Sequence, residues 1–160
     1  MTEEKVMTAF SRIVTVLISR KSEVLETCEA LLHELLDSSA TEEKRKRLDK
    51  EGDAIAKEIE ALVERQAQGT VDGFAEKYQE LEKHYRRVED KLKAVAADRQ
   101  ERAYRAKQAE LFLETLKRLP EKAKLESTEL FMALVDKVIV GDGLTFILRD
   151  GSEQKVNGVR

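Results

Sequence analysis

Few residues in this sequence are of a type that carries out chemistry. Cys28 is the only cysteine, and His33 and His84 are the only histidines. A single thiol forms neither an intrachain disulfide nor a CxxC metal pair, and two histidines do not complete a structural zinc site. Cys28 falls on an apolar helical stripe and reads as a small core residue; a reactive thiol would need a depressed pKa. Arg99, Arg102 and Arg105, and the run "KRKR" at 44–47, are of the type that contacts anions. They sit among carboxylates, however, and read as solvated faces with ion pairs to the facing helix. The glutamate-rich segments read as solubilising surface. No catalytic, cofactor-binding or metal-binding set emerges, so the chain is expected to be non-enzymatic.

The composition points to elements rather than to a site. Of the 160 residues, 38 % are charged and 41 % apolar, with 5 % aromatics, one proline and no tryptophan. An average domain is about 25 % charged. Such a load favours long helices with narrow apolar stripes over a thick core. The net charge of −3 lacks the overall positive field of a stand-alone DNA binder. No secretory signal is evident, and the most apolar early segment, "FSRIVTVLIS", is interrupted by polar residues and too short to span a bilayer. No membrane partner and a cytoplasmic location are expected.

Apolar positions recur at alternating spacings of three and four. One series runs Met7, Phe10, Val14, Leu17, Lys21, Val24, Cys28, Leu31 and Leu35, with only Lys21 polar. A second runs Leu48, Gly52, Ile55, Ile59 and Leu62. A third runs from Phe74 through Tyr78, Leu81, Tyr85, Val88, Leu92 and Val95 to Ala106, Ala109, Leu113 and Leu116. A stripe repeating about every 3.5 residues is a coiled-coil signature and must be covered.

Between the second and third series lies "RQAQGTVDG" at 65–73. Gly69 is suited to end a helix in the left-handed conformation, and Asp72 or Thr70 to cap the next. A short connection between long helices gives an antiparallel hairpin. Folded there, Leu62 meets Phe74, Ile59 meets Tyr78, Ile55 meets Leu81, Gly52 meets Tyr85 and Leu48 meets Val88. The same register continues through Leu35 with Arg102, Leu31 with Ala106, Cys28 with Ala109 and Val24 with Leu113. It places His33 near residue 104, away from His84, so both read as surface histidines. At "DSSATEEK", 37–44, the stripe turns polar and slips by one. This predicts either a break between helices, capped by Ser39 or Thr41, or a stammer within one, and marks a candidate hinge.

Pro120 stops the long helix. "STELFMALVDKV" restarts a short one, capped by Ser127 or Thr128, with Leu130, Phe131, Leu134 and Val135 inward. "KVIVG", "LTFILR" and "EQKV" follow, joined by Asp142-Gly143 and Asp150-Gly151, which are hairpin signals. These strands need cover for Val138, Val140, Phe146 and Leu148, and Val6, Met7 and Phe10 are the expected source. The fold is therefore expected to be mostly α: a long antiparallel coiled-coil hairpin over 1–126, with a short helix and a small antiparallel β-meander over 127–160 as its root.

The order of "VLISRKSEVLETCEALLHELL", a charged hairpin with the tip "ERQAQGTVDGFAEKYQELE", and the closing "STELFMALVDKVIVGDGLTFILRDGSEQKV" resembles the C-terminal region of large serine recombinases, the phage integrases and transposon recombinases, over roughly residues 4–156. The resemblance implies a coiled-coil arm with the strands that return to a zinc ribbon. The sequence contains neither the family's catalytic domain nor the ribbon's cysteines, so no catalytic serine is carried over and zinc would belong to the parent protein. It further implies that arms of neighbouring subunits touch through their tips, that a recombination directionality factor redirects them, and that DNA is met only through other domains. By position the tip is Gln66 to Phe74, with Gln68, Gly69, Thr70, Val71, Asp72 and Phe74 as contact residues, Val71 as the exposed apolar one and Phe74 as its support. The competing expectation is a structural or adaptor coiled coil that dimerises through its heptad stripes.

Overall fold

The computed structural model describes residues 2–119 and 127–158. It contains five helices, α1 (Glu3–Ser19), α2 (Lys21–Leu36), α3 (Ser39–Gln68), α4 (Phe74–Arg118) and α5 (Thr128–Leu134), then three strands, β1 (Val135–Val140), β2 (Leu144–Leu148) and β3 (Glu153–Val156). The strands form one antiparallel sheet in the order β1-β2-β3. The expected mostly helical fold with a small C-terminal meander is what the chain adopts. It divides into two compact units. One is Asp37–Glu101; the other joins the chain up to Leu36 to the chain from Arg102 onward. This division differs from the 126/127 boundary expected above: α1, α2 and the end of α4 group with the sheet. Pro120 lies outside the described residues, and α4 ends two residues before it.

The unit Asp37–Glu101 is an antiparallel helical hairpin of α3 against the first part of α4. Leu48, Ile55 and Leu62 on α3, and Val88 and Val95 on α4, are buried. Ile59, Leu81, Tyr85 and Leu92 pack against that seam half-buried. Its width is about one residue per turn, as a stripe at heptad spacing dictates. Gly52 lies in it, and the closest group to the missing Cβ is Val88 Cγ1 at 3.5 Å; this places Val88, rather than the expected Tyr85, against the glycine. Between α2 and α3 the helix breaks at Asp37 and Ser38, which resolves the two alternatives left by the sequence. Ser38 occupies the cap position without a side-chain cap bond. Asp37 Oδ1 instead accepts from Ser39 N–H (3.1 Å) and Ser39 Oγ (2.8 Å), a local turn that competes with helix. Neither Ser39 nor Thr41 is the cap.

In the other unit the apolar face is wider. Ala9, Phe10, Ile13, Val14 and Leu17 of α1 are buried with Cys28, Ala109, Phe112, Leu113 and Leu116, and with Leu134, Val135, Leu144, Phe146 and Leu148 of the sheet region. Three rings lock the centre: Phe10 lies edge-on to Phe131 at 5.1 Å, and both reach Phe146 at 6.4 Å. Edge-to-face pairs of this kind add to area burial. The first stripe does not lie on one straight helix, because α1 and α2 part at Arg20 (φ −111°, ψ 22°). Val16 C=O accepts both Arg20 N–H (3.1 Å) and Ser19 Oγ (2.8 Å). Val24 N–H still reaches Arg20 C=O (3.0 Å), so the apolar rhythm survives the bend. Lys21, the one polar residue in the stripe, donates Nζ to Lys117 C=O (3.2 Å) and Leu119 C=O (3.0 Å). Those are carbonyls at and beyond the end of α4, where a cation is favoured. Arg102 does the same for α2, donating to Glu34 C=O at 2.7 Å.

The sheet is tied to this core on one face. Leu144, Phe146 and Leu148 point inward and are buried, while Thr145 and Ile147 alternate outward. Val138 is half-buried, but Val140, expected to need cover, is 59 % exposed at the end of its strand. Ser127 caps α5, its Oγ accepting from Leu130 N–H at 3.3 Å. Gly143 is required by space: a Cβ there would come 2.8 Å from Val156 C=O. Gly151 has φ +86° in the second turn, and Asp150 Oδ1 accepts from Ser152 N–H (2.9 Å) beside it. Arg149 pins this turn to the helices. Its N–H donates to Leu134 C=O (2.9 Å), its Nε to Met132 C=O (2.9 Å), and its Nη1 to Gln108 Oε1.

Removing Phe10 leaves a hole among two other rings. Phe10→Ala should cost about 3–5 kcal/mol, read as a lowered urea midpoint for the unit holding the sheet; a change under about 1 kcal/mol would contradict the ring cluster. Cys28 gives a second check. It is buried, its Sγ lies 3.6 Å from Ala109 C=O, and burial, with the negative charges of Asp150 and Glu29, pushes its thiol from 9.0 up to about 11. Its pKa is higher folded than unfolded, so its contribution to stability holds below pH 9 and is lost as the pH rises through 11. Iodoacetamide at pH 8 should label it slowly in buffer and rapidly in urea; equal rates would show that the thiol is open.

Candidate functional site

The tip of the hairpin is built by two helix ends and one glutamine. α3 closes with Gly69 N–H donating to Arg65 C=O at 3.1 Å. Gly69 itself is extended (φ 176°, ψ 166°), a backbone any residue adopts, so the left-handed stop expected there does not occur. The left-handed residue is Gly73, at φ +66°. Its C=O accepts from Lys77 N–H (3.0 Å), which makes Gly73, rather than Asp72 or Thr70, the residue in the N-cap position of α4. Between the glycines the loop is held from inside. Gln66 Oε1 accepts from Val71 N–H at 2.9 Å, and Val71 C=O accepts from Phe74 N–H at 3.3 Å.

This brings the expected contact residues together and sorts them. Gln68, Gly69, Thr70 and Asp72 are exposed. Val71, expected to be exposed, is half-buried, because its backbone is drawn toward Gln66. Phe74 is half-buried too and stacks on Tyr78, with ring centroids 5.9 Å apart. Sequence reasoning missed the work of Gln66 and Gly73. A glycine directly before a helix is an acceptable cap residue, and that was the available signal for Gly73.

Below the tip, on the same unit, an open groove of about 510 Å³ runs between α3 and α4. Its walls are Glu58, Ala61, Leu62 and Arg65 on one side and Lys77, Glu80, Leu81 and His84 on the other. His84 Nε2 lies 2.8 Å from Glu51 Oε1 at its far end, on an exposed surface. Some other charges of the hairpin are engaged locally. Arg45 pairs with Glu42 (2.6 Å) and Asp49 (2.8 Å), and Arg47 with Glu43 (3.8 Å), so the "KRKR" run lies among its own carboxylates. The hydrogen bond from Arg45, with its charge, holds the Glu42 carboxyl below its ordinary value. Exposed pairs like these contribute little to stability. Among the described residues no group of three or more His, Cys, Asp or Glu could hold a metal ion, and no helix is long and apolar enough to cross a membrane. What the tip and groove offer is surface: a tied loop, two half-buried apolar side chains and a charged cleft.

The two glycines of the tip should respond differently. Gly73→Ala forces a Cβ into the left-handed region and should cost about 1–2 kcal/mol, measured by thermal unfolding. Gly69→Ala meets open space in an extended backbone and should be neutral or slightly stabilising. The reverse ranking would restore the stop at Gly69.

Compared with protein-family models, with curated proteins and with solved structures, the chain matches none.

Proposed function

We propose that this chain is a non-catalytic protein–protein interaction arm, and that the protein it serves is a cytoplasmic site-specific serine recombinase. On this reading the hairpin tip contacts other recombinase subunits, helps hold them in synapsis, and is redirected by a recombination directionality factor. DNA is met through other domains, and any zinc ribbon and catalytic serine belong to the parent protein. The resemblance set out above motivates the parent; the geometry of the tip supports the arm.

The observation that carries the reading is how the unit Asp37–Glu101 spends its apolar residues. Its seam is buried between its own two helices, through Leu48, Ile55, Leu62, Val88 and Val95. A structural coiled coil that dimerises through its stripes needs that seam free. Here the stripes are already covered, and the surface left for a partner is the tip and the faces beside it. A loop tied down by Gln66 loses little freedom on binding, and that preorganisation favours contact.

Val71→Glu places a charge on the half-buried apolar residue of the tip without touching either helix. Self-association of the chain, measured by sedimentation velocity, should weaken by about tenfold or more while the far-UV helical signal is unchanged. Equal association of mutant and parent would remove the tip from the contact.

A further inference from the structure

The charges around the hairpin groove are sorted by sign along its length. Helices rise about 1.5 Å per residue, so in the antiparallel hairpin Arg65 lies nearest the tip and Lys77 next. Glu58 and Glu80 come after them, and His84, joined to Glu51, lies furthest. The groove thus has a basic end toward the tip and an acidic end away from it, with Leu62 and Leu81 on either side of its middle. Some other cations on these helices find partners within the chain, as Arg45 does with Glu42 and Asp49 and Arg86 with Glu82. Glu58, Arg65, Lys77 and Glu80 have no ion-pair partner among the described residues.

We infer that this groove docks against the same groove of a second copy, laid antiparallel across a two-fold axis. In a two-fold contact, residue i of one copy meets j of the other and j meets i. Antiparallel, the basic end of each copy lies on the acidic end of the other, twice over. Parallel docking instead sets Arg65 and Lys77 against their own kind and gathers four carboxylates, which is repulsive at both ends. Charge order therefore selects both the partner and its orientation. The inference rests on the interaction-arm reading above and adds to it the face used and the direction of approach.

Charge reversal separates the two ideas. Arg65→Glu with Lys77→Glu makes the groove uniformly acidic, and Glu58→Lys with Glu80→Lys makes it basic. Each double variant alone should self-associate at least about tenfold more weakly than the parent in low salt. An equimolar mixture of the two should recover parental association. The quadruple variant should associate with itself, because its reversed polarity is again self-complementary when antiparallel; circular dichroism confirms that each variant is folded. If the double variants associate like the parent while Val71→Glu does not, the groove inference falls and the tip reading stands. If the mixture fails to recover association, or the quadruple variant does not associate with itself, the charge-ordered antiparallel arrangement is wrong. A parent chain that stays monomeric at millimolar concentration removes both.

Discussion

Everything in this molecule follows from an apolar stripe that cannot remain wet. Burying a leucine or valine side chain is worth about 1.5–3 kcal/mol, and a stripe recurring every 3.5 residues repeats that demand along the whole helix. The chain answers it with itself. In Asp37–Glu101 the answer is minimal: two helices, one seam, and side chains such as Tyr85 and Ile59 left half-buried at its margins. In the other unit the stripe on α4 is flanked by Phe112, which is fully buried, because helix and sheet together cover a broader face. One physical demand thus gives a thin unit and a thick one, and the difference lies in how many elements share the cover.

The helix ends show the same economy with polar groups. Backbone carbonyls at a helix C-terminus have no partner in the helix, and here side chains from neighbouring helices supply one. Lys21 serves the end of α4 and Arg102 the end of α2. Each sits at a position where the stripe rhythm alone would put an apolar residue. They are polar because the surface they face is a helix terminus. Arg149 does comparable work between the sheet and the helices, through Leu134, Met132 and Gln108.

How much of this could be read in advance depends on whether the signal is periodic. Stripes, strands and the fold-back are periodic, and the register reached in the sequence is the one in which Cys28 meets Ala109 and Arg102 meets the end of α2. What was not legible is set by single hydrogen bonds. At Arg20 even these do not mark the break: Ser19 bonds back to Val16 there, but Thr8, Ser11 and Thr15 bond back along α1 without interrupting it. The place of Gly73, rather than Gly69, in the left-handed region follows from where Gln66 holds Val71. Two glycines four residues apart offer equal freedom, and composition does not choose between them. Phe112 and Ile13 fall beside the strict stripe, and their burial required knowing that a sheet would arrive from the far end of the chain.

The candidate site belongs to the second kind of information. Its residues do not converge on a reacting atom, so no motif spacing marks them. The tip is specified by a turn, and the groove by the order of charges on two antiparallel helices. That order is invisible along the sequence, where Glu58, Arg65 and Lys77 each follow a residue of opposite charge and Glu80 stands among uncharged ones. It becomes a pattern only after the fold-back sets Arg65 and Lys77 nearer the tip than Glu58 and Glu80. A surface of this type gains specificity from electrostatic orientation more than from apolar area. Sequence therefore announces the helices that carry such a surface long before it announces the surface itself.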